Sequence, residues 1–333
     1  MHQRRPGRRT TRGAGLDAEA VRSAAARVAG RVHRTPVVSS ATLDRRTGAT
    51  VLLKNEAVQK TGSFKARGAF NRLVTLPDTE RERGLVAVSA GNHAGALAWA
   101  AARVGAKATV VMPRNAPAAK VAACRDYGAD VVLHGETTVE SFAECERLQQ
   151  ERGLYFVHPF DDPEIVAGQG TAGLELAEDA GPVDLWVCCV GGGGLICGTA
   201  LAVRDANPGC RVVGVEPEGA AALTAALAAG RPVPVVPRSV ADGLCAPFAG
   251  PVTLPLFREL VDEVVLVTDD EILAAVRFVM ERMKVVVEPA GAAAVAALLT
   301  GRAGDVAGTR VGAILSGGNV DLGVVVPQFP PEP

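Results

Sequence analysis

The sequence predicts an α/β protein with two open, twisted, mainly parallel sheets. From residue 84, short apolar runs (GLVAVSA, ATVVMP, ADVVLHG) alternate with helical stretches (HAGALAWAAARVG, PAAKVAACRDYG and one through SFAECERLQQ). That alternation signals parallel strands joined by crossover helices. A second series, VDLWVCCV, RVVGVEP, EVVLVTD and RVGAILSGG, repeats it. The chain of 333 residues has room for both units, and a composition 48% hydrophobic but only 4% aromatic implies cores of Ala, Val and Leu.

The elements follow in order. Residues 1–15 carry Arg4, Arg5, Arg8, Arg9 and Arg12 without an acid, and LDAEAVRSAAARVAG behind them reads as an amphipathic helix. Lacking the apolar segment of an export signal, residues 1–15 are expected to be a disordered basic tail. HPFDDP reads as a connection, since Pro159 and Pro163 both oppose helix continuation. Thr268-Asp269-Asp270-Glu271 has the pattern of a capping box, opening a helix to Lys284.

Composition excludes several classes. A net charge of −1 lacks the positive footprint of a nucleic-acid binder. No run approaches the ~18 apolar residues of a membrane span. Seven cysteines without CxxC pairs fit reduced thiols in a cytoplasmic protein.

In open α/β sheets ligands sit where strands lead into helices; those loops read VSAGNHAG, VGGGGLICG and LSGGNVD. Gly191, Gly192, Gly193 and Gly194 stand between an apolar strand and an apolar helix, where backbone N–H groups can converge on a phosphate. The run does not match G-x-G-x-x-G, and no G-x-x-x-x-G-K-[ST] occurs, which weakens dinucleotide and P-loop readings. Lys65, in KTGSFKARGAFN, stands where a helix should begin; alone it reads as a surface lysine. A phosphate cup and one special lysine together suggest pyridoxal phosphate held as a Schiff base. SAGNH offers backbone N–H groups to a carboxylate and the Asn92 amide to a ring hydroxyl. His93 reads as a locally satisfied helix-start residue rather than an acid or base. Ser316 reads either as a neutral hydroxyl for a ring nitrogen or as part of an ordinary turn.

KNEAVQKTGSFKARGAFN, SAGNHAGALAWAA, HPFDDPEIVAGQGT, VGGGGLICG, VEPE, VADGL, ERMKVVVEPAGAA and ILSGGNVD together resemble the serine/threonine dehydratase and serine racemase branch of fold-type II pyridoxal-phosphate enzymes, over about residues 20–325. The resemblance implies a tryptophan synthase β-like fold with the cofactor in a cleft between two domains. A large domain would comprise 16–76 and 162–333, a small one 77–161. It also implies that Lys65 forms the Schiff base and Phe64 packs against the pyridine ring, with Asn92 on its 3-hydroxyl. Gly191 to Gly194 and the Leu195 N–H would hold the phosphate, Gly243 and Glu288 would lie near the ring, and Ser316 would meet its nitrogen. Ser89, Ala90, Asn92 and His93 would surround the substrate carboxylate.

Two departures bear on activity. Racemases resembling this chain carry a second proton donor where it has Ala90, so the expected reaction is dehydration and deamination of L-threonine or L-serine rather than racemisation. Racemase-like members also bind a divalent ion with a glutamate and, six residues on, an aspartate; Glu216 is present but the second position is Ala222, so only a weak or monovalent site is expected, or a solvated acid at a strand end. The chain stops soon after ILSGGNVD, leaving no length for the C-terminal regulatory domain of feedback-controlled threonine dehydratases. The small-molecule substrate is an amino acid, and a homodimer or homotetramer is expected. The rivals are an amino-acid racemase of the same fold, a dehydratase for a bulkier β-hydroxy amino acid, and a non-catalytic pyridoxal-phosphate carrier or sensor.

Overall fold

The computed structural model describes residues 16–329 except 117 and 137; the tail expected over 1–15 lies outside the described residues. Among the described residues ten strands form two sheets: β1 (Val37–Val38), β2 (Thr50–Asn55), β3 (Leu85–Val88), β4 (Ala108–Met112), β5 (Asp130–Leu133), β6 (Tyr155–Phe156), β7 (Leu185–Cys189), β8 (Arg211–Pro217), β9 (Glu263–Val267) and β10 (Arg310–Leu315). The larger sheet runs β1-β2-β10-β7-β8-β9 and the smaller β5-β4-β3-β6. Only β1 pairs antiparallel, Val37 opposite Lys54; elsewhere the register is parallel, with Val311 opposite both Val51 and Leu185, and Val86 opposite both Thr109 and Phe156.

Both expected series are present, but β1, β2 and β6 stood outside them. Two residues each are too few for β1 and β6 to show a period. The run TVLLKN of β2 is interrupted by Lys54, a charge that pattern reading assigns to water. In the structure Lys54 is fully buried, its ammonium 2.7 Å from Glu175 Oε2 and donating to the Thr35 carbonyl at 2.6 Å. A buried charge is tolerated when paired and hydrogen-bonded in this way.

Trp186, Leu53 and Val213 sit in the core of the larger sheet, with the alanine-rich helix Pro289–Leu299 buried along all but its last residue. Phe70, Leu97, Trp99 and Met112 centre the core against the smaller sheet. Between them runs the helix Lys65–Thr75, packed on Asn92–Val104 and on Pro163–Ala180. The second crossing is close: a Cβ on Gly168 would lie 2.6 Å from the Gly68 Cα. Pro163 does not prevent a helix but begins one, at the first position where its missing N–H costs nothing, with Asp162 Oδ1 accepting from the Glu164 and Ile165 amides at 2.8 and 3.2 Å. The capping box at Thr268 is formed, and its helix (Asp269–Phe278) continues through a π-turn to left-handed Lys284.

A buried charge cluster anchors the inner face of Lys65–Thr75. Arg67, with no exposed surface, contacts both Glu56 oxygens at 2.8 Å and the two Glu175 oxygens at 2.7 and 2.8 Å. Burial pushes the Glu56 carboxyl up, but the Arg67 guanidinium outweighs it and holds the group below its usual range.

Candidate active site

The helices Lys65–Thr75, Asn92–Val104, Gly194–Ala206 and Pro289–Leu299 start around one cavity of about 370 Å³, and none of the four starts has a side-chain cap. Free N–H groups and the positive ends of helix dipoles therefore face a common space, which favours anions. Several other helix starts are satisfied by side-chain oxygen. Asp17, Ser40 and Thr268 cap their own helices, Asp161 Oδ1 accepts from the Val252 and Thr253 amides, and Glu216 accepts from the Leu223 and Thr224 amides.

Phe64, Lys65, Ser89, Ala90, Asn92, His93, Gly191, Gly192, Gly193, Gly194, Leu195, Gly243, Glu288 and Ser316 all line the cavity. Glu216 does not. It is fully buried, takes the Thr224 hydroxyl as well as the two amides, and so closes a helix start instead of being the solvated acid expected as one alternative. Among the described residues no cluster of three or more metal-type ligands occurs.

Lys65 Nζ donates to the Pro159 carbonyl at 2.7 Å and has no salt-bridge partner at contact distance among the described residues. Burial lowers its pKa to about 8, against the opposing pull of Cys189 and Glu288. Its loop is tied to the LSGG loop: the Phe64 amide donates to the Ser316 carbonyl at 3.0 Å and the Gly318 amide to the Gly62 carbonyl at 2.9 Å. Glu288 is raised to about 7, by burial first and then by Asp242, while its Oε1 accepts from Asn92 Nδ2 at 2.6 Å. Burial, helped by the Lys65 charge, lowers His93 to about 3, and its Nε2 lies 3.0 Å from the Val157 carbonyl. The ring is thus satisfied by a strand end 64 residues away, not within its own helix start as sequence reading expected.

The glycine run is sterically required. A Cβ at Gly192 would lie 2.2 Å from the Phe160 ring, and Gly193 has φ +92°. Thr253 Oγ1 braces the run by donating to the Gly192 carbonyl at 2.8 Å.

Sequence reading missed Lys120, His158, Phe160 and Asp242 as lining residues. His158 Nδ1 accepts from the Phe160 and Asp161 amides at 3.2 and 2.8 Å, which puts the ring proton on Nε2, and burial then Lys65 lower its pKa to about 4. Lys120 reaches Asp242 at 2.7 Å across the cavity mouth. The HPF and VADG segments were noticed, but nothing local marks these side chains as facing the cavity.

A family model described as pyridoxal-phosphate dependent enzyme matches residues 28–317. The chain belongs to that family. It is 45% identical over 295 residues to an L-threonine ammonia-lyase of Thermotoga maritima, covering 88% of this chain and 73% of that one. It is also 45% identical over 300 residues to an L-threo-3-hydroxyaspartate ammonia-lyase of a Pseudomonas species, covering 90% and 94%. The structure of maize serine racemase superposes with a TM-score of 0.89 at 40% identity, covering 94% of this chain and 96% of that one. The fold is that of the fold-type II pyridoxal-phosphate enzymes, and the cofactor is pyridoxal phosphate.

The lining fits that cofactor. The side-chain-free cup at an uncapped helix start suits a phosphate, Phe64 offers an apolar face, and Lys65 supplies an amine of lowered basicity.

Proposed function

We propose that this pyridoxal-phosphate enzyme dehydrates and deaminates L-threonine or L-serine, giving 2-oxobutanoate or pyruvate and ammonia. The observation that carries the reading is the presence in one cavity of Lys65, a half-buried lysine whose amine has lowered basicity, and Ala90, a side chain that has no proton to give. The named ammonia-lyase relatives support it.

In this reading Lys65 holds the cofactor, Gly191 to Gly194 with the Leu195 N–H hold its phosphate, and Phe64 supports the ring. Asn92 takes the 3-hydroxyl, Ser316 the ring nitrogen, and Gly243 and Glu288 lie close by. When bound, the cofactor supplies an electron sink for charge left at the substrate α-carbon. Freed by the incoming amino acid, Lys65 Nζ takes the α-proton. Ser89, Asn92 and His93, at an uncapped helix start, hold the substrate carboxylate beside Ala90. Loss of the β-hydroxyl as water leaves an enamine, which water converts to the ketoacid and ammonia. With no acid at Ala90 to return a proton to the other face, elimination outruns racemisation.

Lys120 favours a second substrate. Its ammonium, which lines the cavity paired with Asp242 at 2.7 Å, would exchange that partner for a substrate β-carboxylate, as in 3-hydroxyaspartate. The rest of the reading is a large domain of 16–76 and 162–333, a small domain of 77–161, a homodimer or homotetramer, and a cytoplasmic location; seven unpaired cysteines support the last.

The test is ketoacid release from L-threonine, L-serine and L-threo-3-hydroxyaspartate, with Lys65→Ala as control and chiral analysis of residual serine. Ketoacid that needs Lys65 supports the proposal. D-serine forming as fast as ketoacid, or activity surviving Lys65→Ala, overturns it.

A further inference from the structure

Asn319, which follows the LSGG loop, joins three loops that carry the site. Its Nδ2 donates to the Thr61 carbonyl at 2.7 Å and to Asn92 Oδ1 at 2.8 Å, while its backbone N–H reaches the Glu288 carboxylate. Asn92 Nδ2 donates to Glu288 Oε1 at 2.6 Å, so Asn319, Asn92 and Glu288 form a closed ring. The ring spans the two sheets, because Asn92 opens the helix after β3 whereas Asn319 follows β10.

Every donor in the ring meets an acceptor in one orientation only. The Thr61 carbonyl requires an N–H from Asn319, which sets the Asn319 amide; turning Asn92 over would put its NH₂ against another NH₂ and its carbonyl against a carboxylate. Local backbone is bent to admit the arrangement. Thr61 has φ +60° and Gly62 φ +71°, and a Cβ on Gly62 would lie 2.2 Å from Asn319 Oδ1. Asn319 itself is exposed and does not line the cavity, whereas Asn92 does.

We propose that Asn319 is a positioning residue: it holds the Asn92 amide with its N–H face turned to Glu288 and the cavity, so that Asn92 presents a donor to the cofactor's ring oxygen. The inference rests on the proposed seat of the cofactor at Asn92. Orientation matters because a carbonyl turned the same way would repel an anionic oxygen, whereas an N–H stabilises it.

The experiment titrates cofactor-free full-length protein with pyridoxal 5'-phosphate and follows the absorption spectrum, in wild type, Asn319→Ala, Asn92→Ala and the double variant. Asn319→Ala is expected to weaken binding about fivefold, as for loss of one oriented hydrogen bond, and to shift the absorption maximum of the bound cofactor. In the Asn92→Ala background the same substitution is expected to add less than about twofold, the mark of action through Asn92. Equal losses in both backgrounds, or an unchanged spectrum and affinity, overturn the inference. Should Asn319→Ala not fold, Asn319→Asp carries the test: it keeps the volume, replaces the donor by an acceptor and is expected to bind at least as weakly. Wild-type affinity in Asn319→Asp overturns the inference. None of these readouts needs ketoacid, so failure of the lyase reading and failure of this one are separable.

Discussion

Two lysines eleven residues apart, Lys54 fully buried and Lys65 half-buried at the cavity, have opposite fates. Lys54 in β2 lies within 2.7 Å of Glu175 and 3.8 Å of Asp179, beside the Arg67–Glu56 pair. Lys65 has a backbone carbonyl for company and nothing of opposite charge in contact. The first region neutralises buried charge with buried charge and serves as an anchor. The second leaves an amine desolvated and under-paired, which shifts it towards the neutral, nucleophilic form. Burial alone does not make a lysine reactive; burial without a counterion does.

The largest effect expected from breaking this contrast is at Lys65 itself. Lys65→Ala is expected to lower ketoacid production by at least about 10³-fold, while the melting temperature of the cofactor-free protein stays near wild type; a large drop in melting temperature would place Lys65 in the anchoring region instead. Arg67→Met should do the reverse in kind, destabilising the fold by about 3–5 kcal/mol in denaturant titration because Glu56 is left fully buried without its ion-pair partner, whereas Glu175 keeps Lys54. Next comes Gly192→Ala, whose Cβ meets the Phe160 ring; about 1–3 kcal/mol of strain is expected, read as weaker cofactor binding. A pH series sharpens the contrast further. Folding lowers the Lys65 pKa from 10.5 to about 8, so the neutral amine becomes the majority form above about pH 8, and the rate of cofactor capture by the cofactor-free protein should rise through that pH and level off above it. In the same window, from about 8 to 10.5, the unfolded chain binds a proton that the folded one does not, so the contribution of Lys65 to stability rises with pH. The smallest effect belongs to Lys120→Ala, which breaks a partly exposed pair with Asp242 and should cost less than about 1 kcal/mol in melting experiments.

Helix starts repeat the lesson on the backbone. At Asp17, Ser40, Thr268, Glu216 and Asp161 an oxygen side chain meets the free N–H groups; at Lys65, Asn92, Gly194 and Pro289 no side chain caps the helix, and these four surround the cavity. A missing cap in the amino-acid string is ordinary. Four missing caps pointing at one volume are a binding site for anions, and only the fold brings them together.

Much of this was legible beforehand. The strand-to-helix junctions bearing SAGNH, GGGG and LSGG could be read because glycine and small residues at a strand end follow from local geometry. The thirteen other cavity-lining positions expected with Lys65 all reach the same cavity. Lys120, His158, Phe160 and Asp242 were not legible, since what brings them to the cavity is packing between distant segments, such as Lys120 against Asp242, 122 residues on. One of the two alternatives for Glu216, a solvated acid at a strand end, fails because a glutamate closing a helix that begins six residues later leaves no mark in the intervening residues.

The sequence by itself determined the α/β class, the two strand series and the glycine run at a strand-to-helix junction, because these depend on period, glycine placement and local turns. The tertiary structure alone decided which lysine is paired, since the fold brings carboxylates to the fully buried Lys54 and leaves Lys65, half-buried at the cavity, with a backbone carbonyl. It also decided which face of Asn92 meets the cavity, because Asn319 and Glu288 are assembled around that amide from segments nearly 200 residues or more from it in the chain.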